Sequence, residues 1–145
     1  MLVIVASIHH QNTRKVVEAM AKKVKMTIVS MNELDSVDID DYSTIGFASG
    51  IHYWTFHKSI IKLIDELDLS NKNVFFVYTC GLKIKQYDKP LINKIINQGA
   101  NYCGTFGCRG YDTYSILKTI GGIAKGRPNQ TDLAQARQFI RNLNL

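Results

Sequence analysis

Five short apolar segments alternate with amphipathic segments along this chain, and this alternation restricts its fold more than any other feature. The apolar segments are Leu2–Ala6, Met26–Val29, Thr44–Ala48, Asn73–Thr79 and Ala100–Phe106. Apolar runs of this length are typical of strands that are buried on both faces, as in parallel sheets. The alternation therefore predicts an α/β protein in which helices cover both faces of a parallel sheet.

Helical spacing of apolar residues predicts four helices between and after these strands. They cover about Thr13–Lys23, about His57–Leu67, a segment that Asp88 caps with Pro90 in its first turn, and a segment from Thr131 or Asp132 onward. The stretch from Met31 to Tyr42 is acidic and has no clear pattern, so we expect a loop or one short helical turn there.

Right-handed crossovers between five strands in 145 residues favour the doubly wound strand order 2-1-3-4-5. We therefore expect a three-layer sandwich that forms a single domain over residues 1–145. In this topology ligands bind beyond the carboxyl ends of the strands, near the switch between the first and third strands. The loops that follow the strands are thus the places to look for a functional site.

Composition and charge exclude several classes of protein. No apolar run approaches the roughly 20 residues that span a membrane, and the N-terminus lacks the basic region of a signal peptide. Three cysteines without framework spacing indicate reduced thiols, so we expect a cytoplasmic location. The net charge of +6 favours acidic partners. Its basic residues are scattered and form no stripe with aromatics, so we expect no nucleic-acid partner.

The loop after the first strand is the first candidate binding site. It is polar and leads directly into a predicted helix, whose unpaired N–H groups and dipole attract phosphate. The candidate residues are Ser7, His9, His10, Gln11, Asn12 and Thr13. A partly protonated imidazole at His10 would suit a dianion. The alternative is an ordinary turn in which Asn12 or Thr13 caps the helix.

The loops after the third, fourth and fifth strands add aromatic, hydroxyl and glycine residues at the same edge of the predicted sheet. The first of these loops contains the only tryptophan of the chain. The candidates are Ser49, Gly50, Ile51, His52, Tyr53, Trp54 and Phe56, then Thr79, Cys80 and Gly81, then Cys108, Arg109, Gly110 and Asp112. Together they predict a pocket for an aromatic ring with a phosphate tail. Alternatively, Trp54 and Phe56 close the end of the sheet, and Cys80 is a small buried residue.

Other chemistries lack their usual residues. The four histidines have no i, i+4 pair with an acidic neighbour, and the cysteines form no Cys-x-x-Cys motif, so we expect no metal site. A receiver domain of a response regulator needs carboxylates after the first strand and at the end of the third. Here Ser7 and Ser49 occupy these places.

These loops resemble those of flavodoxins, small FMN-binding proteins, and the resemblance extends over essentially the full length of the chain. Ser7–Thr13 is similar to the flavodoxin phosphate loop, although it is one residue longer and has His10-Gln11 near the usual glycine. It is closer to a subgroup with the pattern Ser-x-His-His-x-Asn-Thr. Ser49-Gly50-Ile51, the run Cys108–Thr113 and the tail Gly121–Asn129 match that subgroup too.

The resemblance implies a flavodoxin-like fold and a non-covalently bound FMN. Backbone N–H groups of residues 9–13, with the side chains of Ser7, Asn12 and Thr13, would hold the phosphate. The ring would lie between the loop that contains Tyr53 and Trp54 and the loops after the fourth and fifth strands. Arg109 would either stabilise an anionic reduced ring or remain a solvated surface charge.

The function that this resemblance implies is electron transfer between redox partner proteins, some of which would have acidic docking surfaces. The alternative is an FMN-dependent NAD(P)H:quinone or protoporphyrinogen-type oxidoreductase. A third class, an interaction module that keeps the fold without the flavin, is disfavoured by the intact loops.

Overall fold

The structure, a computed structural model, describes residues 1–6, 11–82, 86–112 and 121–143. Within these ranges the strands are β1 (Leu2–Ala6), β2 (Thr27–Ser30), β3 (Thr44–His52), β4 (Thr55–Phe56), β5 (Asn73–Cys80) and β6 (Asn101–Arg109). The α-helices in the same ranges are α1 (Asn12–Ala21), α2 (Lys58–Glu66), α3 (Lys89–Asn97) and α4 (Gln130–Asn142).

Five of these strands form a parallel sheet in the order β2-β1-β3-β5-β6. Since β5 and β6 are the fourth and fifth predicted strands, this order confirms the predicted α/β sandwich. The bounds of β1 agree with the prediction, whereas β3 continues beyond the predicted end at Ala48 as far as His52.

The segment after β3, predicted as a loop, forms a short hairpin instead. Strand β4 pairs antiparallel with the end of β3, with Ile51 opposite Phe56, and Tyr53 and Trp54 form the turn. Both turn residues have positive φ, 47° for Tyr53 and 68° for Trp54. Two-residue hairpin turns favour this backbone, but asparagine and glycine usually occupy it because larger side chains are strained there.

The core lies in two layers, one on each face of the sheet. Alternate residues of β1 point to opposite faces, so that Ile4 packs with α2 and α3, while Val5 packs with α1 and α4. Every residue of β1 is buried. This burial on both faces explains why the strand is continuously apolar.

The acidic stretch after β2 contains two 3₁₀ helices, Met31–Ser36 and Ile39–Asp41, rather than a loop or a single turn. The backbone N–H and the hydroxyl of Ser30 both donate to the carboxylate of Glu33, at 2.9 and 2.7 Å. These hydrogen bonds stabilise the start of the first 3₁₀ helix and lower the pKa of Glu33. Among the described residues, no helix combines the length and the apolar character needed to cross a membrane.

Candidate functional site

A narrow cleft of about 40 Å³ opens at the carboxyl ends of β3, β5 and β6, beside the first turn of α1. It is lined by Asn12, Thr13, Gly50, Ile51, His52, Thr79, Cys80, Gly81, Gly110, Tyr111 and Asp112. All of these except Tyr111 are residues that the sequence predicted for one site. This carboxyl-edge cleft lies where doubly wound sheets bind ligands.

The first turn of α1 faces this cleft, and its N-cap residue provides no side-chain cap. Gln11 is the N-cap residue, in a left-handed conformation with φ of 53°, and its side chain makes no capping hydrogen bond. The first turn contains no acidic residue. The N–H groups at a helix start lack intrahelical partners, so this end of α1 is suited to an anion.

One interpretation of the sequence expected Asn12 or Thr13 to cap the helix, but the N-cap residue is Gln11 instead. The Thr13 hydroxyl is buried and lies 2.8 Å from that of Thr79 at the end of β5. The Asn12 side-chain amide donates to the carbonyl oxygen of Tyr111 at 2.7 Å. Both side chains therefore join the start of α1 to the neighbouring strand ends and fix one wall of the cleft.

Glycines allow these elements to approach each other closely. A Cβ on Gly110 would lie 2.9 Å from the side-chain nitrogen of Asn12 and 3.1 Å from Cβ of Thr79. A Cβ on Gly50 would lie 3.2 Å from Nε2 of His52. The His52 ring therefore turns back over Gly50, at the floor of the cleft.

Ser49 supports the cleft from below rather than lining it. Its side chain is fully buried. The hydroxyl accepts a hydrogen bond from the N–H of His57 at 2.9 Å and donates one to the carbonyl of Gly50 at 2.7 Å. Ser49 thus holds the orientation of the Gly50 carbonyl.

The three aromatic residues of the hairpin lie in different surroundings. Phe56 is in the core, edge-on to Phe76, so the structure places it away from the cleft and closes the end of the sheet with it. Tyr53 is 77% exposed and Trp54 is 52% exposed at the tip of the hairpin, next to His52. The Trp54 ring stacks on Tyr87 with centroids 6.5 Å apart.

The residues predicted at the ends of β5 and β6 have mixed roles. Cys80 is buried in the cleft wall, and Cys108 is buried in the core layer beneath α1 and α4. Arg109 donates from Nε to the carbonyl of Gly81 at 3.1 Å, so it holds the turn after β5. Asp112 lines the cleft, and its backbone pairs with Ile123 through two hydrogen bonds.

Sequence reasoning missed two tyrosines. Tyr111 lines the cleft, receives the hydrogen bond from Asn12, and donates from its hydroxyl to the carbonyl of Gly121 at 3.2 Å. Tyr111 lies between Gly110 and Asp112, which the sequence predicted as site residues, and this position could have identified it. Tyr87 precedes α3 and is buried behind Trp54, and no pattern in the sequence indicates this contact.

Burial raises the pKa of Tyr78 to about 12, with further contributions from nearby Cys80, Asp88, Tyr87 and Cys108. This tyrosine is therefore neutral at physiological pH.

Of the other predicted residues, Ser7, His9 and His10 lie outside the described residues. Within the described ranges, no group of three histidine, cysteine or acidic residues could hold a metal ion.

A flavodoxin-domain family model matches residues 2–120 of the chain. The chain belongs to the flavodoxin-domain family. A protein of Methanocaldococcus jannaschii that is itself described as uncharacterized is 35% identical over 144 residues, which cover 98% of this chain and 96% of that one. The resemblance to flavodoxins is thus confirmed, while the subgroup that the Ser7–Thr13 loop indicates stays a prediction.

Solved structures with the same fold have little sequence identity to this flavodoxin-domain chain. The Trp repressor binding protein from Bacillus subtilis has a TM-score of 0.70 at 17% identity, over 95% of this chain and 96% of that chain. A flavodoxin from the domain Archaea has a TM-score of 0.68 at 15% identity, over 99% of this chain and 96% of that chain. These likenesses show the fold.

Proposed function

We propose that this chain binds FMN in the carboxyl-edge cleft and transfers electrons between cytoplasmic partner proteins. The observation that carries the proposal is the uncapped start of α1, which faces a cleft with a glycine at the end of each of three neighbouring strands. Membership of the flavodoxin-domain family supports FMN as the ligand.

The residues at the cleft fit the two ends of FMN. The first N–H groups of α1 and the side chains of Asn12 and Thr13 would hold the phosphate, because they lie at a helix end that attracts anions. On the sequence motif, Ser7, His9, His10 and Gln11 complete this phosphate site. The ring would lie against the strand ends at Gly50, Gly81 and Gly110, where the missing side chains let the neighbouring elements that line the cleft approach closely.

When bound, FMN accepts and releases one or two electrons, and the protein determines where and how readily this occurs. Ser49 orients the carbonyl of Gly50 towards its own hydroxyl, which fixes the polar floor of the cleft. Trp54 would exclude water from one side of the ring. Nε2 of His52 lies beside Gly50, so the imidazole would lie next to the bound ring.

The charge of the chain supports partners with acidic docking surfaces, because a net charge of +6 attracts them over several ångströms. A second candidate function is an FMN-dependent oxidoreductase that oxidises NAD(P)H or reduces a quinone or protoporphyrinogen-type substrate. The presence of His52 and Asp112 in the cleft favours it, since both side chains can exchange protons with a substrate.

Calorimetric titration with FMN and with riboflavin tests the binding proposal. We expect FMN to bind at least about tenfold more tightly than riboflavin, because a hydrogen-bonded phosphate contributes about 1.5 kcal/mol or more. Thr13→Val should remove most of this preference, whereas the exposed Thr131→Val should not change it. Absence of FMN binding, or equal affinity for the two flavins, would contradict the proposal.

Photoreduction of the FMN-loaded protein separates the two functions. Reduction in two one-electron stages, without turnover of NAD(P)H, supports the electron carrier. Reduction in a single two-electron stage, with steady oxidation of NAD(P)H, supports the oxidoreductase instead.

A further inference from the structure

A second groove, of about 420 Å³, lies between the end of α1 and the outer side of α4. It is lined by Lys23, Ala134, Arg137, Gln138, Arg141 and Asn142, and we call it the basic groove. Helix α1 runs back from the carboxyl end of β1 to the start of β2, so the groove lies at the opposite edge of the sheet from the cleft. Eight-residue β5 implies a separation of roughly 25 Å.

The three cations of the basic groove have no acidic partner among the described residues. None of the ion pairs found there includes Lys23, Arg137 or Arg141. The acidic residues on these two helices, Glu18 and Asp132, already pair with Arg14 and Arg127. Within the described part of the chain, no acidic side chain therefore neutralises the positive charge of the groove.

Helix stability explains only part of this charge. Cations near the end of a helix interact favourably with its dipole, which accounts for Lys23 after α1 and for Arg141 in the last turn of α4. It does not account for Arg137, which lies one turn earlier. Like charges at i, i+4 destabilise a helix by a few tenths of a kcal/mol, so the pair Arg137 and Arg141 has no folding advantage.

We propose that the basic groove docks a carboxylate-rich segment of a partner protein. Arg137 and Arg141 would pair with carboxylates, since guanidinium groups match their geometry. The amides of Gln138 and Asn142 can exchange hydrogen bonds with a peptide backbone. At its distance from the cleft, the groove would tether a partner without contacting the flavin.

The lining of the groove favours a polypeptide over the other anionic occupants. Single-stranded nucleic acids bind to stripes of cations interleaved with aromatic rings on which bases stack, and the residues that line the groove include no aromatic side chain. A second copy of the chain has an acidic segment at Met31–Asp41. Docking that segment into the groove would join copies head to tail. Such contacts build open filaments unless the rotation that relates successive copies closes into a ring.

Fluorescence anisotropy with a short labelled peptide of alternating Glu and Ser tests this proposal. The triple variant Lys23→Gln, Arg137→Gln and Arg141→Gln should bind this peptide at least about tenfold more weakly than the wild type, with a smaller dependence on salt. Circular dichroism checks that the variant remains folded.

The matched control carries Lys58→Gln, Lys62→Gln and Lys89→Gln, three exposed lysines on α2 and α3. It loses the same net charge, and we expect its affinity for the peptide to stay within about twofold of the wild type. Equal weakening in both triple variants would overturn the proposal, because net charge alone would then explain binding.

Two further results would also overturn it. One is tighter binding of a single-stranded RNA oligonucleotide than of the peptide. The other is concentration-dependent self-association in sedimentation that disappears in the groove variant. FMN affinity should be unchanged in both triple variants, so a failure of this proposal is distinguishable from a failure of the flavin site.

Discussion

The interior of the sheet and its carboxyl edge use glycine and aromatic residues in opposite ways. In the interior, the Phe75 ring lies on Gly46 of the neighbouring strand, and the Tyr78 ring lies on Gly107. At the edge, the aromatic residues Tyr53 and Trp54 occupy a turn whose backbone suits glycine. The interior is thus arranged for dense packing, whereas the edge keeps strained backbone where a ligand would bind.

The distribution of positive φ supports this comparison. Among the described residues, Gln11, Tyr53, Trp54 and Ala124 are non-glycine residues with positive φ in segments at the carboxyl edge, and only Asn71 lies elsewhere. Conformations of this kind persist where surrounding contacts hold them, often at functional sites. Here the holding contacts include the side-chain bonds of Asn12 and Thr13.

The largest effect is expected where the interior packing is broken. Gly46→Ala should lower the free energy of unfolding by about 3 kcal/mol, since its Cβ would overlap the Phe75 ring inside the core. Denaturant titration measures this change. Adding Phe75→Leu to this variant should recover part of the loss, because it replaces the ring with a smaller side chain. A loss below about 1 kcal/mol in Gly46→Ala alone would contradict the packing argument.

A smaller effect is expected where a cross-link of the edge is broken. Asn12→Ala should cost about 1.5 kcal/mol of stability, because it leaves the carbonyl of Tyr111 without its donor. The exposed Asn93→Ala on α3 serves as the control and should be neutral or slightly stabilising, since alanine favours helix. Equal stability of the two variants in denaturant would show that the link is not needed.

Relieving the backbone strain at Tyr53, at the carboxyl edge, should stabilise the protein. Tyr53→Asn is expected to add about 0.5 kcal/mol, because asparagine tolerates positive φ better than tyrosine. Tyr53→Phe keeps the strain, so it should not gain this stability. If Tyr53→Asn instead destabilises the protein, the Tyr53 side chain contributes more through its contacts than the backbone loses.

The smallest effect at neutral pH concerns Tyr78, whose ring belongs to the interior of the sheet. Its folded-state pKa of about 12 exceeds the ordinary value of 10.0, so folding keeps the phenol neutral. This contribution to stability is fully present below pH 10 and is lost as the pH rises from about 10 to 12. Tyr78→Phe should make stability fall less steeply in that window, and identical pH profiles in urea titrations would refute the argument.

Much of the fold was predictable because its signals are local. The apolar run Leu2–Ala6 ends at a polar loop, and this gave the bounds of β1 correctly. The order of the parallel strands followed from right-handed crossovers. Ten of the cleft residues were also predicted, since carboxyl ends of parallel strands meet at one edge.

What could not be predicted depends on contacts between distant residues. The hairpin was missed because Tyr53-Trp54 lacks the Asn-Gly signal of such turns, and the burial of Phe56 against Phe76 fixes it instead. Ser49 directly precedes the cleft residue Gly50 but does not line the cleft, because its hydroxyl is buried and accepts a hydrogen bond from the distant N–H of His57. Lys23 and Arg137 meet only when α1 and α4 pack together.

The most direct test of the flavin site is an amide N–H correlation spectrum recorded during titration with FMN. The account predicts that the signals of Asn12, Thr13, Gly50 and Gly110 shift first and most strongly, while those of the basic groove stay unchanged. Shifts confined to other parts of the molecule, or no shifts at all, would contradict it.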